Sequence, residues 1–77
     1  VPTDPLPARV LARRQAIGDR IRAARTERKL TQEKLGEATG LDRKTINRIE
    51  NGAYATLIDH LILIADALDT PLVDLVR

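Results

Sequence analysis

No cysteine occurs in this chain, and no methionine, tryptophan or phenylalanine; tyrosine and histidine occur once each. The missing cysteine excludes a disulfide framework, a thiolate metal site and a cysteine nucleophile, and it fits a reducing, cytoplasmic setting. With His60 as the only histidine, no histidine cluster can hold a metal. Asp59 precedes it, but neighbouring helix residues do not face each other, so neither metal binding nor catalysis is expected there. The scarcity of aromatics leaves Leu, Ile and Val to build the core, enough for compact helical packing but not for a deep substrate cavity. No Gly-rich phosphate loop is present. No apolar run approaches the ~20 residues of a membrane span, and no signal-peptide pattern opens the chain. At 77 residues the expectation is one small domain, with no cofactor, no metal and no membrane.

Charge is present, and it is unevenly spread. The formal net charge is only +2. Yet Arg9, Arg13, Arg14, Arg20, Arg22, Arg25, Arg28 and Lys29 face only Asp19 and Glu27 in the first part of the chain. Toward the other end Asp59, Asp66, Asp69 and Asp74 outnumber the single Arg77. A basic half suggests a polyanionic partner, nucleic acid first; a solubilising surface with a chance bias explains the charge equally well.

The pattern along the chain is helical throughout. "VPTDPLP" is proline-rich and reads as an extended leader. Val10, Ile17, Ile21 and Ala24 then mark one face of a helix spanning about 9 to 28, with Gly18 as a candidate break. Thr31 caps a second helix, on which Leu35 and Ala38 face inward, and Gly40 stops it. Asp42 caps a third that runs to about Asn51. Thr56, with Asp59 three residues on, reads as the capping box of a fourth helix with Ile58, Leu61, Ile64, Ala65 and Leu68 inward. Leu63 lies opposite them, an isolated exposed leucine or part of a partner surface. Thr70 and Pro71 open a short fifth helix.

The second and third helices are joined by a short turn containing Gly, the helix-turn-helix signature. Gly36 and Ala38 supply the small residues that a close crossing needs. On the third helix Ile46 and Ile49 point to the core, and Arg43, Lys44, Asn47, Arg48 and Asn51 occupy the opposite arc. Two cations in the first turn oppose the helix dipole, at a cost of ~0.3–1 kcal/mol each. Base-edge reading accounts for them: Arg and Lys match guanine O6 and N7, and Asn matches the adenine edge. The bland alternative is a solvated face.

"LTQEKLGEATGLDRKTINRIENG", residues 30–52, resembles the helix-turn-helix of the lambdoid phage repressor and Cro family, also called the xenobiotic-response-element family. The resemblance extends from "IGDRIRAAR" to "LIDHLILIADALDTPL". It implies an all-α, five-helix, lambda-repressor-like DNA-binding domain over residues 17–77. Residues 1–16 are an N-terminal extension, the leader followed by a basic helical segment in which Arg9, Arg13 and Arg14 form a solvated face or a DNA-contacting arm. It also implies a transcription regulator, most often a repressor, that binds double-stranded DNA as a homodimer. Arg43, Lys44 and Arg48, with Asn47 beside them, occupy base-reading positions. Gln32 resembles a glutamine that touches phosphate and braces the reading helix, and Arg25 and Glu50 match a buried ion pair. Asn51 falls where the family touches backbone phosphates. Thr31 and Tyr54 are further phosphate candidates, the first otherwise only a cap and the second otherwise packed over the helix end. The loop "GAYAT" lacks the basic residues and proline common there, and Gly36 replaces the usual alanine. The alternative reading is an antitoxin or adaptor whose main partner is a protein, held through Leu63 or the fifth helix.

Overall fold

The computed structural model describes residues 5–77. Residues 1–4, and with them most of the expected leader, lie outside the described residues; positions 5–7 carry no regular structure. The described residues form five helices and no strand: α1 (Ala8–Glu27), α2 (Gln32–Thr39), α3 (Arg43–Glu50), α4 (Ile58–Ala67) and α5 (Leu72–Val76). None of these is long and apolar enough to cross a membrane.

Each helix gives one apolar stripe to a common centre. Ile21 of α1, Leu35 of α2, Ile46 and Ile49 of α3, and Leu61, Ile64 and Ala65 of α4 meet there, joined by Leu68 and by Leu75 of α5. α3 packs on both α1 and α2, and α5 closes against α1 and α4. Arg20 of α1 donates to the carbonyls of Leu75 and Arg77, tying α1 to the end of α5.

The turn at the centre is set by local chemistry. Thr31 Oγ1 accepts from the Lys34 amide at 3.0 Å. Gly40 has φ 79°, the left-handed conformation that glycine adopts without steric cost, and its amide donates to Gly36 O at 2.8 Å. Asp42 Oδ1 then accepts from the Thr45 amide at 2.7 Å and starts α3.

Four details differ from the sequence reading. Ala38 is exposed and Thr39 takes the inward place. With Leu35 and Gly36 both buried, the stripe passes between them, and Thr39 falls on it while Ala38 is rotated away. Thr39 satisfies its hydroxyl on Leu35 O and Gly36 O. Thr56 does not cap α4: the cap position is Leu57, which makes no side-chain cap bond. Ile58 is 58% exposed, because it sits in the uncovered first turn at the edge of the stripe. Pro71 is the cap of α5 rather than its first helical residue.

α1 runs unbroken through Gly18, which serves contact rather than a bend. A Cβ built there would lie 2.5 Å from Glu50 O and 2.6 Å from Ile49 O. A Cβ at Gly36 would lie 2.5 Å from Leu41 O. Both meet backbone, which cannot step aside as a side chain can. At Gly36 the usual alanine would therefore push on the turn. In an isolated helix Gly→Ala is worth about 1 kcal/mol of stabilisation; Gly18→Ala is expected to destabilise instead, by ~1–3 kcal/mol. A thermal melt checks the sign, and a raised melting temperature would show that α1 and α3 separate freely.

Candidate nucleic-acid interface

Glu50 is the only fully buried charged residue among the described ones, with no exposed surface. Such a carboxylate is tolerable only if it is paired and hydrogen-bonded. Arg25 supplies a fork: Nε donates to Oε2 at 2.6 Å and Nη2 to Oε1 at 2.9 Å. Its third arm, Nη1, donates to Leu30 O at 2.8 Å, which fixes the end of α1 as well. Gln32 Nε2 and Arg22 Nε also reach Oε1, at 3.1 and 3.3 Å. Burial pushes the Glu50 carboxyl up, but hydrogen bonds from Arg25, Gln32 and Arg22 and the Arg25 charge hold it below the ordinary glutamate value. The hydrogen bonds that Arg25 donates to Glu50, with the Glu50 charge and against the opposing effect of burial, raise Arg25 above its usual range. No buried side-chain polar atom among the described residues lacks a partner.

The outer arc of α3 lies opposite this anchor. Ile46, Ile49 and Glu50 point inward, and Arg43, Lys44, Arg48 and Asn51 are exposed. Asn47 is half-buried, and its amide is engaged at both ends. Nδ2 donates to Gln32 Oε1 at 3.3 Å, and Oδ1 accepts from Asn51 Nδ2 at 3.1 Å. Asp42, at the cap, lies beside the first-turn cations. Hydrogen bonds from Thr45, with help from the charges of Lys44 and Arg48, hold its carboxyl below the ordinary value.

The candidate phosphate residues divide. Gln32 is half-buried and bridges Glu50 to Asn47. Thr31 is exposed; its hydroxyl oxygen accepts at the cap, and its O–H has no acceptor among the described residues. Tyr54 packs under Arg48, whose guanidinium carbon lies 5.9 Å from the ring centroid, a cation–π distance. Arg9 and Arg13 are exposed and Arg14 half-buried on the first half of α1. Arg13 and Arg14 flank a shallow cavity of about 210 Å³ with Val10, Ile17, Ile49, Thr56 and Leu61. Gln15, 35 positions before Glu50 in the chain, donates to Glu50 O at 3.4 Å, so the first half of α1 touches the end of α3.

Sequence reasoning missed Arg22. It lies three residues before Arg25, on the same helix face, and that spacing next to a paired Glu50 was the signal available.

The arrangement is chemically simple: an exposed cationic and amide-bearing arc on a helix whose inner face is fixed by apolar contacts and one ion network. A family model described as helix-turn-helix matches residues 21–75. The restriction-modification controller protein C.AhdI from Aeromonas hydrophila has a similar structure, with TM-score 0.81 and 33% identity over 83% of this chain and 97% of that one. The clp gene regulator ClgR from Corynebacterium glutamicum shares the fold, with TM-score 0.78 at 24% identity over 82% of this chain and 67% of that one. A second structure of ClgR gives TM-score 0.78 at 24% identity over 94% and 86%. No curated protein matches.

The ion network predicts an acid-sensitive fold. Because Glu50 is depressed in the folded state, its contribution is fully present above the unfolded value, near pH ~4.3. It is lost as pH falls through the folded one. Asp42 acts in the same direction. Glu50→Ala should cost ~3–5 kcal/mol at neutral pH, because it strands buried partners. Glu50→Gln should melt lower than the parent at pH 7, with the gap closing as both are taken to acid. Parallel melting curves with pH would reject the anchor.

Proposed function

The chain belongs to the Cro/C1-type helix-turn-helix family of DNA-binding transcription regulators, and from that premise we propose that it is a repressor reading the major groove of duplex DNA with α3. The single observation that carries this reading is the exposed arc of Arg43, Lys44 and Arg48 on a helix anchored from behind by Glu50. Arg43 and Lys44 sit at the N-terminal end of α3, the end of a recognition helix that reaches base edges. Asn47 reads with them but with the least freedom, since a base edge must replace its bond to Gln32 or Asn51. Gln32, Thr31, Asn51 and Tyr54 serve the phosphates and set the register. Residues 17–77 form the binding unit and residues 8–16 its helical extension. The function involves no catalysis, and its place is the cytoplasm, with the DNA.

The active form on DNA is a homodimer, because one reading helix spans too few base pairs for useful specificity. Leu63, 42% exposed, and Val73, 62% exposed, offer apolar surface for the contact on α4 and α5. The half-sites should then lie about one helical turn, ~34–36 Å, apart. Sedimentation of the operator complex should give two chains per site; one chain at saturation rejects the dimer.

Reading and mere attraction are separable. Arg43→Ala, Lys44→Ala or Arg48→Ala should each cost ~1–3 kcal/mol on the cognate site and relax preference at particular positions. Binding to scrambled DNA should weaken much less. Gln32→Ala should weaken binding to all sequences evenly. Isotherms at fixed salt, on a site selected from a random pool and on its scrambled form, measure this. Equal losses on both DNAs would reduce the three cations to bulk charge. Unchanged DNA binding with loss of a protein complex would favour the adaptor reading, to which the same apolar surface of α4 and α5 belongs.

A further inference from the structure

Five side chains close a ring at the C-terminal end of α3. Arg22 Nη2 donates to Asn51 Oδ1 at 2.6 Å, and Asn51 Nδ2 donates to Asn47 Oδ1 at 3.1 Å. Asn47 Nδ2 donates to Gln32 Oε1 at 3.3 Å, and Gln32 Nε2 donates to Glu50 Oε1 at 3.1 Å. Arg22 Nε donates to the same Glu50 oxygen at 3.3 Å and completes the circuit. Every bond along the longer path runs in one direction, from Arg22 to Glu50, so each polarises the next.

Arg22 is the head of that path, and its charge is not used up. Glu50 has one negative charge, and Arg25 takes most of it, in a closer two-armed contact. Arg25 keeps 14% of its side chain exposed, Arg22 45%. The third nitrogen of Arg22, Nη1, makes no hydrogen bond among the described residues. A guanidinium held at two of its nitrogens, with its third open to solvent and net positive charge left over, has already lost the freedom that binding would otherwise cost. Its open Nη1 can donate a charge-assisted hydrogen bond to a phosphate oxygen. It is bonded to Asn51, which shares the exposed arc with Arg43 and Asn47. It lies beside the C-terminal end of the reading helix, away from the end that enters the base stack's edge.

We propose that Arg22 is a further DNA-phosphate contact of this domain, supplied by α1 and aimed by Glu50 and Asn51. The proposal rests on α3 being the DNA reader. Gln32 and Asn47 then act as the strut between that phosphate clamp and the base-reading cations, so the clamp and the reading arc move as one piece.

The test uses the full chain and a random-sequence duplex, with affinity measured over a range of salt. Each phosphate contact removed should lower the slope of log affinity against log salt by about 0.9 per chain. Arg22→Gln, which retains an amide donor for the ring, should lose that increment together with several-fold affinity. Arg22→Lys keeps the charge and should keep the slope. Arg43→Ala, beside them, should change preference among sequences. A slope unaltered in Arg22→Gln overturns the proposal even if affinity falls, because a merely structural residue would act that way. In the unmodified protein the Arg22 side-chain Nε–H resonance, assigned by its absence in Arg22→Lys, should shift when duplex is added. An unshifted resonance at saturation overturns the proposal without any variant having to fold. If the unmodified chain shows no salt-dependent binding to duplex at all, the reading of α3 fails, and the Arg22 contact fails with it.

Discussion

One carboxylate, out of water and surrounded by donors, governs the geometry of this domain. Glu50 gathers Arg25 and Arg22 from α1 and Gln32 from α2 onto the last turn of α3. The hydrophobic contacts around Ile46 and Ile49 are non-directional and would tolerate a helix rotated by a few degrees. Hydrogen bonds with two-armed geometry would not. The apolar core therefore decides that α3 is buried on one side, and the ion network decides its angle. Gly18 belongs to the same device: only a residue without a Cβ lets α1 come close enough to Glu50 and Ile49.

The two cations that begin α3 look like an error in local design, since they sit at the positive end of the helix dipole. The structure offsets this in part through Asp42. Its carboxylate caps the helix and carries the negative charge that a first turn normally wants. What remains unfavourable is tolerated because the rest of α3 does not depend on those side chains for packing. Arg43 and Lys44 make no hydrogen bond to the described residues through their side chains, and both are exposed. Local consistency is broken on the exposed arc that is proposed to read DNA.

Much of the short-range chemistry was legible in the sequence, although the Thr56 capping box did not form and Pro71 sits one place earlier than read. Thr31, Gly40 and Asp42 each act within three or four residues of themselves, so a cap or a left-handed stop could be read from spacing alone. The core stripe of α3 was legible for the same reason. The other readings failed where a neighbour in space decided the outcome. Ile58 has the periodicity of a core residue and remains exposed because no element among the described residues covers the first turn of α4. Ala38 gave way to Thr39 because Gly36 is buried and shifts the stripe. Gly18 suggested a break because its contact lies more than thirty positions away in the chain. At the candidate site, the arc of α3 was visible as a helical pattern. The ring through Arg22, Asn51, Asn47 and Gln32 was not, since it is assembled from three helices.

The separation of inner and outer faces on α3 has an evolutionary consequence. Ile46, Ile49 and Glu50 hold the helix, while Arg43, Lys44 and Arg48 have no part in the core. Substitutions on the outer arc therefore cost little folding stability. A lineage can exchange one set of outer side chains for another while every intermediate still folds. Duplicated copies can drift apart in what they recognise, with the scaffold inherited unchanged.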